Sequence, residues 1–277
     1  MSMPWLVLAP VALLATVLLL GFVGCTSTST APYTRYTDDT ILLNAGPSGL
    51  VAYWPLGESA GTVAVARYGS YTGTYTSAPL ALGQSGIVSG DAVQPGNDSN
   101  ILTTCMEVAG GYVEVPHSPS LNPPRTVGFT IEAWVWVGQT NSGTDRTVIA
   151  SHDPNTHTGY LLLANQNNMW EFRVEQGGTL FPPVSVASQP VQPGTTTHLV
   201  AVYENNDTLR LYVDAWDDGP VSVSPGLDTN LSVPFIIGAD HNGQNPFIGK
   251  IQDVAVYSGA LSANDISTHH QHGNGMA

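Results

Sequence analysis

The segment Phe129-Thr130-Ile131-Glu132-Ala133-Trp134-Val135-Trp136-Val137 constrains this chain more than any other, because its side chains change character at every residue. Phe129, Ile131, Ala133, Val135 and Val137 fall on one face at period two, the spacing of an extended strand, and that face is apolar throughout. Thr130, Glu132, Trp134 and Trp136 share the other face, which is either the floor of a groove or is covered by another segment. Further strands are predicted at Tyr112 to Val115, Thr147 to Ala150, Gly159 to Leu163, Met169 to Val174, His198 to Tyr203, Leu209 to Val213, Pro234 to Gly238 and Ile251 to Tyr257. Clusters of Gly, Pro, Asn and Asp separate them, drawn from 29 Gly and 20 Pro in 277 residues. So many short strands bury their apolar faces best in two packed sheets, so the expected fold is an all-β, two-sheet antiparallel sandwich. One helix is predicted, Ser262 to His270, because Ser262 and Asp265 form an S-x-x-D pair able to satisfy first-turn amides.

Charge removes one class of function. Seven Lys+Arg stand against 21 Asp+Glu, a formal net charge of -14, so no basic patch exists to neutralise a phosphate backbone and nucleic acid is excluded as a partner. The same acidity suits a soluble surface and offers carboxylate oxygens to calcium. Cys25 and Cys105 lack Cys-x-x-Cys spacing, which leaves zinc and dithiol chemistry without support.

The first segment is an address. Trp5 to Val23 carries no charge and approaches the length of a membrane span, making residues 1–25 a signal peptide or membrane anchor, expected to be helical. Gly21-Phe22-Val23-Gly24-Cys25 resembles the lipobox of bacterial lipoproteins, which implies lipidation at Cys25. Three products stay open: a lipoprotein, a single-span anchor and a freely secreted chain. All three put the remainder outside the cytoplasm, on a flexible stalk over residues 26–48.

Several segments together carry a family resemblance. Val51-Ala52-Tyr53-Trp54-Pro55-Leu56-Gly57-Glu58, Gly111-Tyr112-Val113-Glu114-Val115-Pro116, the Phe129 strand, Thr197 to Tyr203, Leu209 to Asp214 and Phe247 to Tyr257 with Ala260-Leu261-Ser262 resemble the laminin-G-like jelly rolls of the concanavalin A-like superfamily. The resemblance runs in order from about Leu50 to His270, and one such domain is expected over residues 49–273. It implies a binding module for glycans or surface proteins, often with calcium at a sandwich rim. A structural or adhesive display protein is the alternative, and a polysaccharide hydrolase or lyase the third.

The residues favour binding over catalysis. The Glu-x-Asp-x-Glu strand of related glucanases is missing; Glu171-Phe172-Arg173-Val174-Glu175 puts both carboxylates on one face but interposes Arg173, as an exposed strand of alternating charge would. No Gly-x-Ser-x-Gly nucleophile elbow lies in the strand-turn-helix context it requires, and no His-Glu-x-x-His spacing is present. His198 is expected to make a structural hydrogen bond, and His269, His270 and His272 to sit at a frayed polar helix end or a fortuitous metal site. Two loops offer ligand contacts. In Asp214-Ala215-Trp216-Asp217-Asp218-Gly219, Trp216 either stacks on a sugar ring beside Asp217 or folds back on the sandwich. In Gly238 to Pro246, Asp240 and Asn242 are candidate ligand and calcium contacts, although turn formation explains them equally well. Asp253 completes the calcium candidates, in a segment where Ile251-Gln252-Asp253-Val254 replaces the family's Ile-Asp-Glu-Val and so turns one carboxylate into an amide. Asn97-Asp98-Ser99 marks an insertion and a glycosylation sequon.

Overall fold

The computed structural model describes residues 49–76, 80–89, 104–139, 143–178 and 183–276. Cys25 with its apolar leader, the stalk over 26–48 and the sequon Asn97-Asp98-Ser99 lie outside the described residues.

In chain order the strands begin with β1 (Leu50–Trp54), β2 (Val63–Ala64), β3 (Gly73–Tyr75), β4 (Leu80–Ser85), β5 (Thr104–Ala109) and β6 (Val113–Val115). The middle of the chain supplies β7 (Phe129–Trp136), β8 (Arg146–Asp153), β9 (Thr158–Ala164), β10 (Met169–Val174), β11 (Val184–Pro190) and β12 (Thr196–Glu204). It closes with β13 (Thr208–Val213), β14 (Trp216–Asp217), β15 (Val221–Ser222), β16 (Phe235–Ile237), β17 (Ile248–Tyr257) and the helix α1 (Ala263–Gly273). They form two antiparallel sheets. The first runs β14-β13-β12-β7-β17-β5-β4, with β1 also on β17 and β15 on β13; the second runs β11-β10-β9-β8-β16-β6-β3-β2. The expected jelly-roll sandwich is therefore the observed architecture.

The period-two pattern of β7 explains how the layers lock. Phe129, Ile131, Ala133 and Val135 enter the core between the sheets, together with Leu199 and Ala201 of β12 and Leu162, Phe172 and Phe235 of the second sheet. Rings cross from sheet to sheet: Phe129 meets Tyr160 at 4.9 Å, and Trp54 stacks on Phe235 at 5.6 Å. Such pairs each contribute about 0.5–1.5 kcal/mol beyond the area they bury.

The outer face of the first sheet is covered, which answers the question left by β7. Leu261 and Ile266 of the C-terminal segment join Trp134, Val200, Val202 and Tyr257 in a second apolar cluster. The helix starts where Ser262 and Asp265 cap each other, a reciprocal capping box, and it continues past His270 to Gly273. The expectation of a frayed end is corrected here, because His269 is fully buried against the sheet.

Candidate functional site

Hairpin geometry puts one large aromatic ring in solvent. Asp214 and Ala215, both with positive φ (52° and 64°), form the two-residue turn between β13 and β14. An alanine in this conformation costs roughly 1 kcal/mol relative to glycine, so the turn is held by its surroundings. His198 supplies the hold: its N–H donates to Asp214 Oδ1 at 2.8 Å, and the Asp214 N–H donates to His198 O at 2.9 Å. Trp216 follows the turn and is 62% exposed, so the indole does not fold back on the sandwich.

The indole is nevertheless fixed. Its Nε1–H donates to Asp218 Oδ1 at 2.8 Å, while Ser188 Oγ of β11 donates to Asp218 Oδ2 at 2.9 Å. These bonds, the indole's first, hold the Asp218 carboxyl below its ordinary pKa range. Beside the ring runs a groove of about 560 Å³, bounded by Trp170 and Val213, by Gln189, Gln192, Thr195 and Thr197, and by Asp214 and Asp218. Asp217 does not join them: its Oδ2 accepts from Arg210 Nη1 at 2.6 Å and its Oδ1 from the Gly219 N–H at 2.9 Å. The carboxylate that serves the groove is its neighbour, Asp218.

The calcium candidates are not brought together. Asp240 is buried; its Oδ1 accepts from the His241 N–H at 2.7 Å and lies 2.9 Å from His152 Nδ1. Asn242 occupies the left-handed region, at φ 55°, inside the single turn His241–Gly243. Both residues shape the loop after β16 of the second sheet. Asp253 belongs to β17 of the first sheet and is fully buried, accepting from Tyr53 Oη at 2.5 Å and Gln252 Nε2 at 3.2 Å. Among the described residues no group of three His, Cys, Asp or Glu is placed to hold a metal ion.

The Glu171 strand also differs from expectation. It is an interior strand of the second sheet, and both carboxylates are buried rather than exposed. Glu171 accepts from Arg173 Nε and from Asn165 Nδ2, both at 2.8 Å, and Arg173 reaches Asp145 at 3.0 Å, beside a polar depression of about 440 Å³. Glu175 lies 3.6 Å from His152 and 3.9 Å from His157. Each carboxylate thus has its own cationic or imidazole neighbour.

A third group was only partly visible in the sequence. Under α1, Glu132 Oε1 accepts from His198 Nε2 at 2.7 Å, and Oε2 from Tyr257 Oη at 2.9 Å and His269 Nδ1 at 3.0 Å. The Trp134 ring lies stacked on His198 at 4.5 Å and on His270 at 6.0 Å. Burial alone would raise the Glu132 pKa, but His269 and then His198 outweigh it and hold the carboxyl well below its usual range. Burial alone would lower the His269 pKa, but Glu132 outweighs it and holds the imidazole above its usual value. The carboxylate's contribution is complete above its unfolded pKa of about 4.3 and is lost as pH falls through the depressed folded value. The imidazole's is complete below about 6.5 and is lost as pH rises through the raised folded value. The stability difference between the wild type and Glu132→Gln is therefore expected to peak between about pH 4.3 and 6.5. Urea midpoints across pH 3–9 check this, and a flat difference curve would refute it.

Residues 108–267 match the sequence family described as the laminin G-like group of the concanavalin A-like lectin/glucanases superfamily. No curated protein matches the chain significantly. Among solved structures, domain 4 of AbnA, an extracellular arabinanase from Geobacillus stearothermophilus solved with arabinotriose, is 15% identical with a TM-score of 0.54, covering 80% of this chain and 98% of that one. Trypanosoma rangeli sialidase with sialic acid is 15% identical with a TM-score of 0.54, covering 82% of this chain and 33% of that one. The binding domain of botulinum neurotoxin serotype G is 11% identical with a TM-score of 0.57, covering 80% of this chain and 50% of that one. The fold is thus shared with binding domains and with parts of glycoside-cleaving enzymes, and the chain spans only a third of the sialidase and half of the neurotoxin domain. By its sequence match and its two-sheet architecture, the chain belongs to the laminin G-like family of the concanavalin A-like lectin/glucanase superfamily.

Proposed function

We propose that the chain is a carbohydrate-binding module acting outside the cytoplasm, with the Trp216 groove as its sugar site and Cys25 as the lipidated tether. One observation carries the reading of the site: an indole 62% exposed, yet pinned by Asp218, at the mouth of a groove lined with amides, hydroxyls and carboxylates. A sugar ring offers an apolar face of C–H groups and a rim of hydroxyls. The indole face covers the first, and the groove's acceptors and donors satisfy the second. Fixing the ring in advance removes rotamer entropy that binding would otherwise cost. The arabinotriose complex of the arabinanase domain supports the reading at the level of fold.

The test is a glycan array with the full chain, run with calcium and with chelator, followed by titration of the bound glycan. Trp216→Ala is expected to weaken binding at least about tenfold, the scale of an aromatic anchor contributing about 2 kcal/mol, while its urea midpoint stays near the wild type. Binding indifferent to Trp216 would point to another surface. Calcium dependence would add an ion to the site. A protein partner recovered without any glycan binding would instead favour an adhesive display role.

A further inference from the structure

We infer that the Trp216 groove takes uncharged glycans and rejects anionic ones, those bearing sialic or uronic acids. The inference rests on that groove being the sugar site, and it follows from what lines it. Two carboxylates face the groove: Asp214, whose side chain is 46% exposed, and Asp218, which is exposed at the surface. The other polar groups there, on Gln189, Gln192, Thr195 and Thr197, are neutral, and no Lys or Arg lines the groove.

The cation on the same hairpin is already committed. Arg210, on the same hairpin, is held by Glu204 at 2.8 Å and by Asp217 at 2.6 Å. The imidazole nearest Asp214 in the ion pairs of this region is that of His270, at 3.9 Å. Burial, and then His198, hold its pKa below the ordinary histidine value, which disfavours its charged form. Asp218 is kept ionised by the indole N–H and the Ser188 hydroxyl.

Carboxylate oxygens are good partners for a neutral sugar, because they accept hydrogen bonds and sugar hydroxyls donate them. They are poor partners for a carboxylate. At a separation of about 4 Å, each like charge weakens binding roughly fivefold even in a water-like dielectric, and a partly desolvated groove strengthens the effect. The chain's formal net charge of -14 adds a long-range barrier to the approach of anions.

The experiment compares matched probes on the full chain: lactose against 3′-sialyllactose, and galactan against polygalacturonate, at 20 and 200 mM salt, with EDTA and with calcium. The neutral member of a bound pair is expected to bind at least about tenfold more tightly, with the ratio shrinking at high salt because the discrimination is electrostatic. In Asp214→Asn with Asp218→Asn, the amides keep the side-chain oxygens that accept from His198 N and Trp216 Nε1, and the ratio is expected to fall toward one. The wild-type salt series carries the test even if the double variant fails to fold. Anionic probes bound as tightly as neutral ones, and lost in Trp216→Ala, would overturn the inference while leaving the sugar site in place. So would tight anionic binding that appears only with calcium. If no probe binds in a Trp216-dependent way, the sugar site falls and the inference falls with it.

Discussion

Glu132→Ala is expected to lower the stability of the domain by about 3–5 kcal/mol, a large share of what a domain of this size possesses. The carboxylate is fully buried and accepts from His198, Tyr257 and His269, so truncation removes the acceptor shared by three buried donors at once. Losing the shared acceptor costs about 1–3 kcal/mol for each donor it served. The three partners come from β12, β17 and α1, and Glu132 itself from β7. The loss should therefore appear as a lower urea midpoint for the whole sandwich, with earlier release of the helix seen by hydrogen exchange. Glu132→Gln, which keeps the shape but not the charge, should cost less. If the alanine variant unfolds within about 1 kcal/mol of wild type, the cluster is not what fastens α1 to the sheet.

That cluster also shows where sequence reasoning reaches its limit. The two faces of β7 were legible because alternation is local, and the capping box of α1 because its residues are three apart. What covers the polar face was not, since Glu132 and His269 are 137 residues apart and only the closed sheet brings them together. In the sequence, a Glu on a face that is either a groove floor or covered and three His near a chain end give no sign of one another. The sheet turns them into one buried group.

The site was legible in part for a similar reason. Trp216 and Asp218 lie in one short run, and the turn before them is visible as Asp214-Ala215. The strut from Ser188 was not, because β11 brings Val186 into the core with Val184 half-buried beside it, and ends in Gln189-Pro190, which reads as a loop. Among the calcium candidates, Asp253 rests on the family's Ile-Asp-Glu-Val pattern, which carries no information about local register. The pairing of β17 with β7 shifts register between Gln252 and Ala255, and Asp253 sits in that irregularity at φ 53°. A bulge of this kind re-aims a side chain, and here it places the carboxylate against Tyr53 in the interior.

The second large effect is expected from Gly159→Ala, at about 3–5 kcal/mol. Gly159 lies in β9 opposite His152 of β8, with φ at 100°, outside the range an L side chain readily adopts. A Cβ there would stand 1.8 Å from the Ser151 carbonyl oxygen and 3.1 Å from His152 Cα, both backbone atoms that no rotamer change can move aside. Nor can the glycine retreat easily: its N–H donates to Asp228 O at 2.7 Å and its carbonyl accepts from the Glu175 N–H at 2.9 Å, tying three segments together. Gly178→Ala separates conformation from collision. Gly178 also has a positive φ, 63°, but nothing lies within 4 Å of its Cβ position, so alanine there should cost only about 1 kcal/mol. Urea unfolding of both variants at matched slope decides the matter. A Gly159 variant no less stable than the Gly178 variant would mean that the β8–β9 hairpin can open without breaking its ties to Asp228 and Glu175.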